Sequence, residues 1–468
     1  MLEISRRRSP FVQVRQRRRA GLVAFVLCLF MAGLAFAEPP QTSTPESVPV
    51  TRDDMKRVLD ASKGATPRLP LPPVTEAETR FIEEQKAEAA RTGESPRRFG
   101  LANNGRMRAF YLSEYGFDLS EDLDRARTGA SRSSSPGLDP NLRTAIFWIV
   151  SRGNNCTYCL GHQESSLASR GMSDDELAAL DFDWSVFDEA RQAAFTFARK
   201  ASFEPYALTD ADIEALRKHY DEKQVADLIV AVAGFNATNR WTGPLRIKQD
   251  VLFPFVRETS AEYASRQSPI APANVSAAEN GLAPPQPRTR PALEPWTDVE
   301  LKLAAARERS PRVKLVESKP GDENAPQWVR FLKTLDESGN QRIESYRAVL
   351  DKGTLDPRTK AIIAYVGARH DRAWYALGHA IARLKEFGFS DSAIAALDSP
   401  DQLESPLDRD VVRFARTITI DPALVTDDDF LRLRKSFDDK TVAEIVYQIT
   451  QAAFFDRLTE SAGLPLEF

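Results

Sequence analysis

Between Leu138 and Trp241 the apolar positions recur every three or four residues, and no stretch alternates with the period of a strand. Leu142, Ala145, Ile146, Ile149 and Val150 form one stripe. Asp139 caps that helix and Pro140 takes its first position, where a missing N–H costs nothing. The turn Gly153-Asn154-Asn155 ends it, and a second helix is predicted from Cys156 to about Arg170, with Gly171 as its stop. Ser173 and Glu176 make a capping box for a short third helix, and a fourth covers roughly Ser185 to Ala201. Thr209 and Asp212 cap a fifth, and Lys223 to Trp241 forms a long apolar sixth. The predicted class is all-α.

The pattern then repeats. Leu138-Asp139-Pro140 returns as Leu355-Asp356-Pro357, and Tyr158-x-Leu160-Gly161-His162 returns as Tyr375-x-Leu377-Gly378-His379. Gly171-x-Ser173-Asp174 matches Gly388-x-Ser390-Asp391, and Phe197-Ala198-Arg199 matches Phe414-Ala415-Arg416. Thr209-Asp210 and Arg240 return as Thr426-Asp427 and Arg457, every pair 217 positions apart without a gap. Such regularity predicts a tandem duplication. The second copy is expected to complete an intramolecular pseudo-dimer with the first, covering apolar helix faces that a single copy would use to self-associate. Gly161 and Gly378 are expected to allow close helix packing.

The remaining segments fix boundaries. Residues 1–37 read as an export signal: a basic leader with Arg6 to Arg8 and Arg17 to Arg19, an uncharged apolar run from Gly21 to Phe36, and Ala35-Phe36-Ala37 as cleavage site. An uncleaved N-terminal membrane anchor is the rival reading, and no other stretch is apolar and long enough to span a membrane. Residues 38–66 are polar and read as a flexible tether. The domain with the cysteines is assigned 67–258, a Pro-rich linker 259–295, and the second copy 296–468. Ser131 to Gly137 is a small-residue surface loop or a lid.

Charge narrows the partners. The leader carries seven Arg and one Glu, net +6, so its removal takes the chain from −4 to −10. An acidic exported surface argues against nucleic acid and leaves small molecules open.

Chemistry concentrates in Asn155-Cys156-Thr157-Tyr158-Cys159-Leu160-Gly161-His162-Gln163. The chain has three cysteines, and Cys28 lies in the leader. The mature protein therefore carries one Cys-x-x-Cys and no other thiol. A disulfide-stapled fold uses more cysteines at wider spacing. Two thiols at the first turn of a helix share a face and a field that favours thiolate, which suits a redox couple. Leu160 after Cys159 excludes c-type haem attachment. A metal site would need two more ligands, of which His162 could supply one; none is expected, and no cofactor. Asp427-Asp428-Asp429 is a capped helix start without the spacing of a calcium loop. Tyr158 and Tyr375 are expected in the core, His219 and His370 at the surface, and Arg240 and Arg457 paired with buried carboxylates. Asn236 and Asn239 could line a pocket, with Thr144, Tyr158, Gln163 and Arg240 as further candidates.

Together, Leu142-Arg143, Ile146 to Val150, Asn155 to Cys159, the His162 neighbourhood and Phe235-Asn236-Ala237-Thr238-Asn239-Arg240 make the chain resemble the alkylhydroperoxidase D-like / carboxymuconolactone decarboxylase superfamily. The resemblance covers Leu138 to Trp241 and, as a degenerate copy, Leu355 onward. It implies two all-helical bundle domains, a homo-oligomer, and a peroxidase that reduces a hydroperoxide at the expense of a thiol reductant. Cys159 would form the sulfenic acid, and Cys156 would be proton donor and resolving thiol. Redox members of the family place a Glu three helical turns before the first cysteine; Thr144 stands there. Their His commonly follows the second cysteine by four residues, where this chain has Gln163, with His162 one place earlier. Tyr158 occupies a position where some members carry a further relay His.

The second copy replaces Cys156 and Cys159 by Ala373 and Ala376 yet keeps His379. That leaves His162 between proton transfer and a structural role. Thiol–disulfide exchange, a scaffold with a static disulfide, and a cofactor-free lactone decarboxylase stand as alternatives to the peroxidase.

Overall fold

A computed structural model describes residues 44–93, 101–128, 137–250, 260, 290–317 and 325–468. The leader, the Ser131 to Ser135 part of the small-residue loop and nearly all of the Pro-rich linker lie outside these residues. Helices α1 (Arg52–Ala61), α2 (Glu76–Thr92), α3 (Asn103–Tyr111) and α4 (Leu119–Thr128) come first. The first copy follows as α5 (Pro140–Gly153), α6 (Thr157–Ser169), α7 (Asp174–Phe182), α8 (Glu189–Phe203), α9 (Asp210–Arg217) and α10 (Glu222–Thr242). After α11 (Trp296–Arg307), α12 (Gln327–Leu332) and α13 (Asp336–Asp351) comes the second copy. Its helices are α14 (Pro357–Asp371), α15 (Trp374–Glu386), α16 (Asp391–Ala396), α17 (Pro406–Ile420), α18 (Asp427–Arg434) and α19 (Asp439–Ala462). The described residues contain helices and no strand, and none of these helices is long and apolar enough to cross a membrane.

Each helix from α14 to α19 starts 217 residues after its counterpart from α5 to α10. The same caps explain this. Asp139 and Asp356 accept a backbone N–H of the first turn, with Pro140 and Pro357 behind them. Thr209 with Asp212 and Thr426 with Asp429 form matching capping boxes. Ion pairs repeat as well. Arg152–Asp181 and Arg369–Asp398 both close at 3.0 Å, and Arg143–Asp227 and Lys360–Glu444 approach to 3.5 and 3.7 Å.

The copies are not separate bodies on a linker. Residues 42–468 form one unit with a continuous apolar core, and the most extensive helix–helix contact joins α10 to α19. Two arginines lock this seam reciprocally. Arg240 donates to the carbonyl of Thr419 at 3.2 Å, and Arg457 donates to the carbonyl of Ser202 at 2.9 Å. Thr419 is the counterpart of Ser202, as Arg457 is of Arg240, so the contact is self-complementary in the manner of a two-fold dimer.

Three expectations need correction. The stretch 38–66 is not a tether over its described length. Met55 and Leu59 of α1 are fully buried, and Arg52 forms a bidentate pair with Glu164 of α6. Charged neighbours hid this i, i+4 apolar pair in the sequence. His370 is buried rather than exposed, and burial beside Arg416 and Arg290 pushes its pKa down to about 3, so it is neutral. Its counterpart Gly153 has no room for a side chain, because a Cβ there would lie 2.2 Å from Phe203. Gly378 does serve close packing, since a Cβ on it would fall 2.5 Å from Leu466. Thr144 lies near the start of α5, at the opposite end from the turn that carries the thiols.

Candidate functional site

Helix α5 ends at Gly153, and Asn155 adopts a left-handed φ of 49°, which turns the chain sharply into α6. Arg372 repeats that conformation at φ 51° before α15. The turn makes Cys156 the N-cap of α6: its Sγ accepts the backbone N–H of Cys159 at 3.4 Å. A sulfur here satisfies a donor that the helix leaves free and sits at the positive end of its dipole. Both thiols are buried and unlinked. One hydroxyl touches both: Thr242 Oγ1, in the last turn of α10, lies 3.0 Å from Cys156 Sγ and 3.1 Å from Cys159 Sγ.

The two thiols are electrostatically unequal. Burial opposes charge on Cys156, but hydrogen bonds from Cys159, Thr242, the Cys159 backbone and Asn239 outweigh it and bring its pKa below the ordinary thiol value. Burial raises Cys159 well above that value, and a neighbouring thiolate on Cys156 raises it further. Cys156 is therefore the first of the pair to ionise, and its charge opposes ionisation of Cys159.

Beneath the thiols lies a buried amide cluster. Asn154 donates to Asn236 Oδ1 at 3.0 Å and to Asn239 Oδ1 at 3.1 Å. Asn239 donates to Ser151 at 3.1 Å, Asn236 to Ser202 at 2.8 Å, and Arg240 to Asn236 Oδ1 at 3.1 Å. Asn236, Asn239 and Arg240 are fully buried, so they form a floor instead of lining an open pocket. Asn239 alone of the three reaches the sulfurs. Arg240 takes amide and carbonyl partners, whereas Arg457 pairs with Asp371 at 2.7 Å as expected for a buried arginine.

The other predicted residues go elsewhere. Thr144 sits in the first turns of α5, bonded to the carbonyl of Pro140 and to Arg170, roughly 13 Å along the helix from the turn that carries the thiols. It takes no part in the pair. Gln163 is buried on α6 with its Oε1 unpaired. His162 and Tyr158 meet at Asp250, whose Oδ2 lies 2.8 Å from His162 Nε2 and accepts the Tyr158 hydroxyl at 2.8 Å. Hydrogen bonds from His162 and Tyr158 hold Asp250 below the usual carboxylate range against the cost of burial. In the second copy His379, Tyr375 and Glu467 repeat this trio at 3.1 and 2.6 Å, where no thiol exists. The trio ties down the chain leaving the last helix of each copy.

Sequence reasoning missed Thr242 and Asp250. Both had a signal: Thr242 returns as Thr459, and Asp250 as the acidic Glu467, at the same spacing.

A small pocket of about 30 Å³ touches Thr242 and the residues on either side of Cys156, although neither cysteine lines it. Asn154, Asn155, Thr157 and Thr242 share its lining with Arg68, Arg246 and Glu46. Among the described residues no cluster of three or more His, Cys, Asp or Glu side chains is placed to hold a metal ion.

Comparison with protein-family models finds none that matches the chain, and comparison with curated proteins finds no match either.

Proposed function

We propose that the protein is a thiol-dependent peroxidase of the alkylhydroperoxidase D-like type, exported to an oxidising compartment, with a degenerate second copy. The observation that carries this reading is the pair of buried free thiols at one helix start, both within reach of a single hydroxyl. The chemistry follows from that geometry. Cys156 is the thiol that ionises first. As a hydroperoxide enters, the proton of Cys159 passes to the Cys156 thiolate by way of the Thr242 hydroxyl, which turns from the Thr238 carbonyl to which it otherwise donates. The Cys159 sulfur attacks the terminal peroxide oxygen, and the O–O bond breaks. Cys156 returns the proton to the departing alkoxide, leaving an alcohol and a sulfenic acid on Cys159. Cys156, again a thiolate, attacks that sulfur and expels hydroxide, which takes a solvent proton and becomes water. Two electrons from the pair have reduced the peroxide, and an external dithiol reopens the disulfide.

Burial bears on the rivals: cysteines 0% and 2% exposed meet another protein's disulfide only if the fold opens, and a small dithiol that reopens the oxidised pair needs the same opening, whereas a peroxide group is small enough to approach by way of the pocket at Thr242. A lactone decarboxylase would need an acid–base pair at the pocket, and His162 is engaged with Asp250.

The test is peroxide consumption by the mature protein with a dithiol reductant. Wild type should turn over, and Cys156→Ser and Cys159→Ser should not. A sulfenic acid should be trapped in Cys156→Ser and absent in Cys159→Ser. No turnover by wild type above the reductant alone would sink the peroxidase reading and leave a static role for the pair.

A further inference from the structure

The pocket at Thr242 is also lined by two arginines that are fixed in place before any ligand arrives. Arg68 is nearly inaccessible and fully tied: Nε donates to Asp427 at 2.7 Å, and its other nitrogens donate to the carbonyls of Pro244 at 2.8 Å and Val425 at 2.9 Å. Arg246 shares the same Asp427 oxygen. One carboxylate thus holds two guanidinium groups and leaves an excess positive charge. The balancing charge comes from Glu46, on a separate segment near the start of the described chain. Its hold is loose. Glu46 Oε1 stands 3.3 Å from Arg246 Nε and 3.9 Å from Arg68, its side chain is 48% exposed, and Arg246 Nε is buried without a hydrogen bond. An ion pair exposed on its carboxylate side and without a hydrogen bond contributes little, whereas an unsatisfied guanidinium N–H favours any better-placed acceptor.

We propose that this pocket takes a small carboxylate, with Glu46 as its internal stand-in, and that the preferred oxidant is a hydroperoxide bearing a carboxylate group. The ligand's carboxylate displaces Glu46 from Arg246 and Arg68, and its other end points past Thr242 to the thiols. Leaving its place, the Glu46 side chain also enlarges a pocket otherwise suited to one water. The choice of oxidant rests on the peroxidase reading; the carboxylate site does not.

Two alkylating probes of matched size separate the two ideas without any peroxide: iodoacetate, an anion, and neutral iodoacetamide. The readout is the ratio of their rates at Cys156 and Cys159, relative to the same ratio for an uncharged cysteine peptide. A preorganised cationic entrance should raise the ratio about tenfold. Glu46→Gln, a change at an exposed residue that leaves the fold intact, should raise it further, and Arg246→Gln should return it toward the peptide value. A wild-type ratio equal to the peptide's and unmoved by Glu46→Gln would overturn the proposal. So would failure of both reagents to label the Glu46→Gln protein. A raised ratio in a protein without peroxide turnover would keep the carboxylate site and discard only its oxidant.

Discussion

At the scale of single residues, the thiol pair depends on where one backbone turn places one sulfur. A cysteine at an N-cap takes over the role of Ser or Asp and gains a donor and a dipole. Three residues further on, Cys159 gains burial and a charged neighbour instead. Titration of the thiolate absorbance should therefore resolve one thiol ionising below the ordinary cysteine range and one well above it. Thr242→Val should raise the lower of the two, because it removes a hydrogen bond to the charged sulfur without changing shape. Two thiols titrating together at the ordinary value would contradict the assignment. Cys156 and Cys159 were legible in the sequence because their spacing is local. Thr242 was not, because it reaches them from a helix more than eighty residues away.

At the scale of elements, the two copies use equivalent helix ends for different purposes. In the first, Asn154 and Asn239 form a neutral floor for the thiols. In the second, Asp371 and Asp456 occupy those positions. Asp371 pairs with Arg457 and Arg290, and despite its burial these arginines hold its pKa at about 2. Asp456 is buried with Oδ2 unpaired, and burial beside the Asp371 charge pushes its pKa well above the usual value. The folded protein then keeps a proton on Asp456 that the unfolded chain releases near pH 4. Stability must fall as pH rises from there toward the folded-state pKa. Asp456→Asn, which installs the first copy's residue, should raise stability at neutral pH by about 1–3 kcal/mol and flatten that slope. Denaturant unfolding from about pH 5 to pH 9 measures both. An unchanged slope would show that Asp456 is not the titrating group.

At the scale of the whole molecule, the duplication has turned a dimer-like contact into an internal seam. Each copy supplies a long apolar final helix and an arginine that reaches the other copy's carbonyl. Arg457 also carries the buried pair with Asp371, so Arg457→Met should cost about 3–5 kcal/mol, the range for leaving a buried charge uncompensated. Thermal unfolding is the readout, with Arg413→Met as the exposed control, since Arg413 pairs with Asp401 at the surface. Equal losses in the two variants would show that the seam does not depend on Arg457. The same seam brings second-copy residues such as Val425 into the lining of the pocket at Thr242, although that copy has alanines where the first has its thiols.

The sequence by itself determined the repeat, which is read by comparing residues 217 positions apart, and the local features: the helical class, the caps, and the positions of the two thiols at a helix start. Each local feature depends on side chains within about four residues of one another, the reach of a helical turn. Tertiary structure decided the rest. It set the burial of His370 and α1 and the distance of Thr144 from the thiols. It also engaged His162 with Asp250, placed Thr242 between the sulfurs, and fused the copies into one core. These depend on which distant surfaces exclude water together, and a hydropathy pattern states that a face is apolar without stating what covers it.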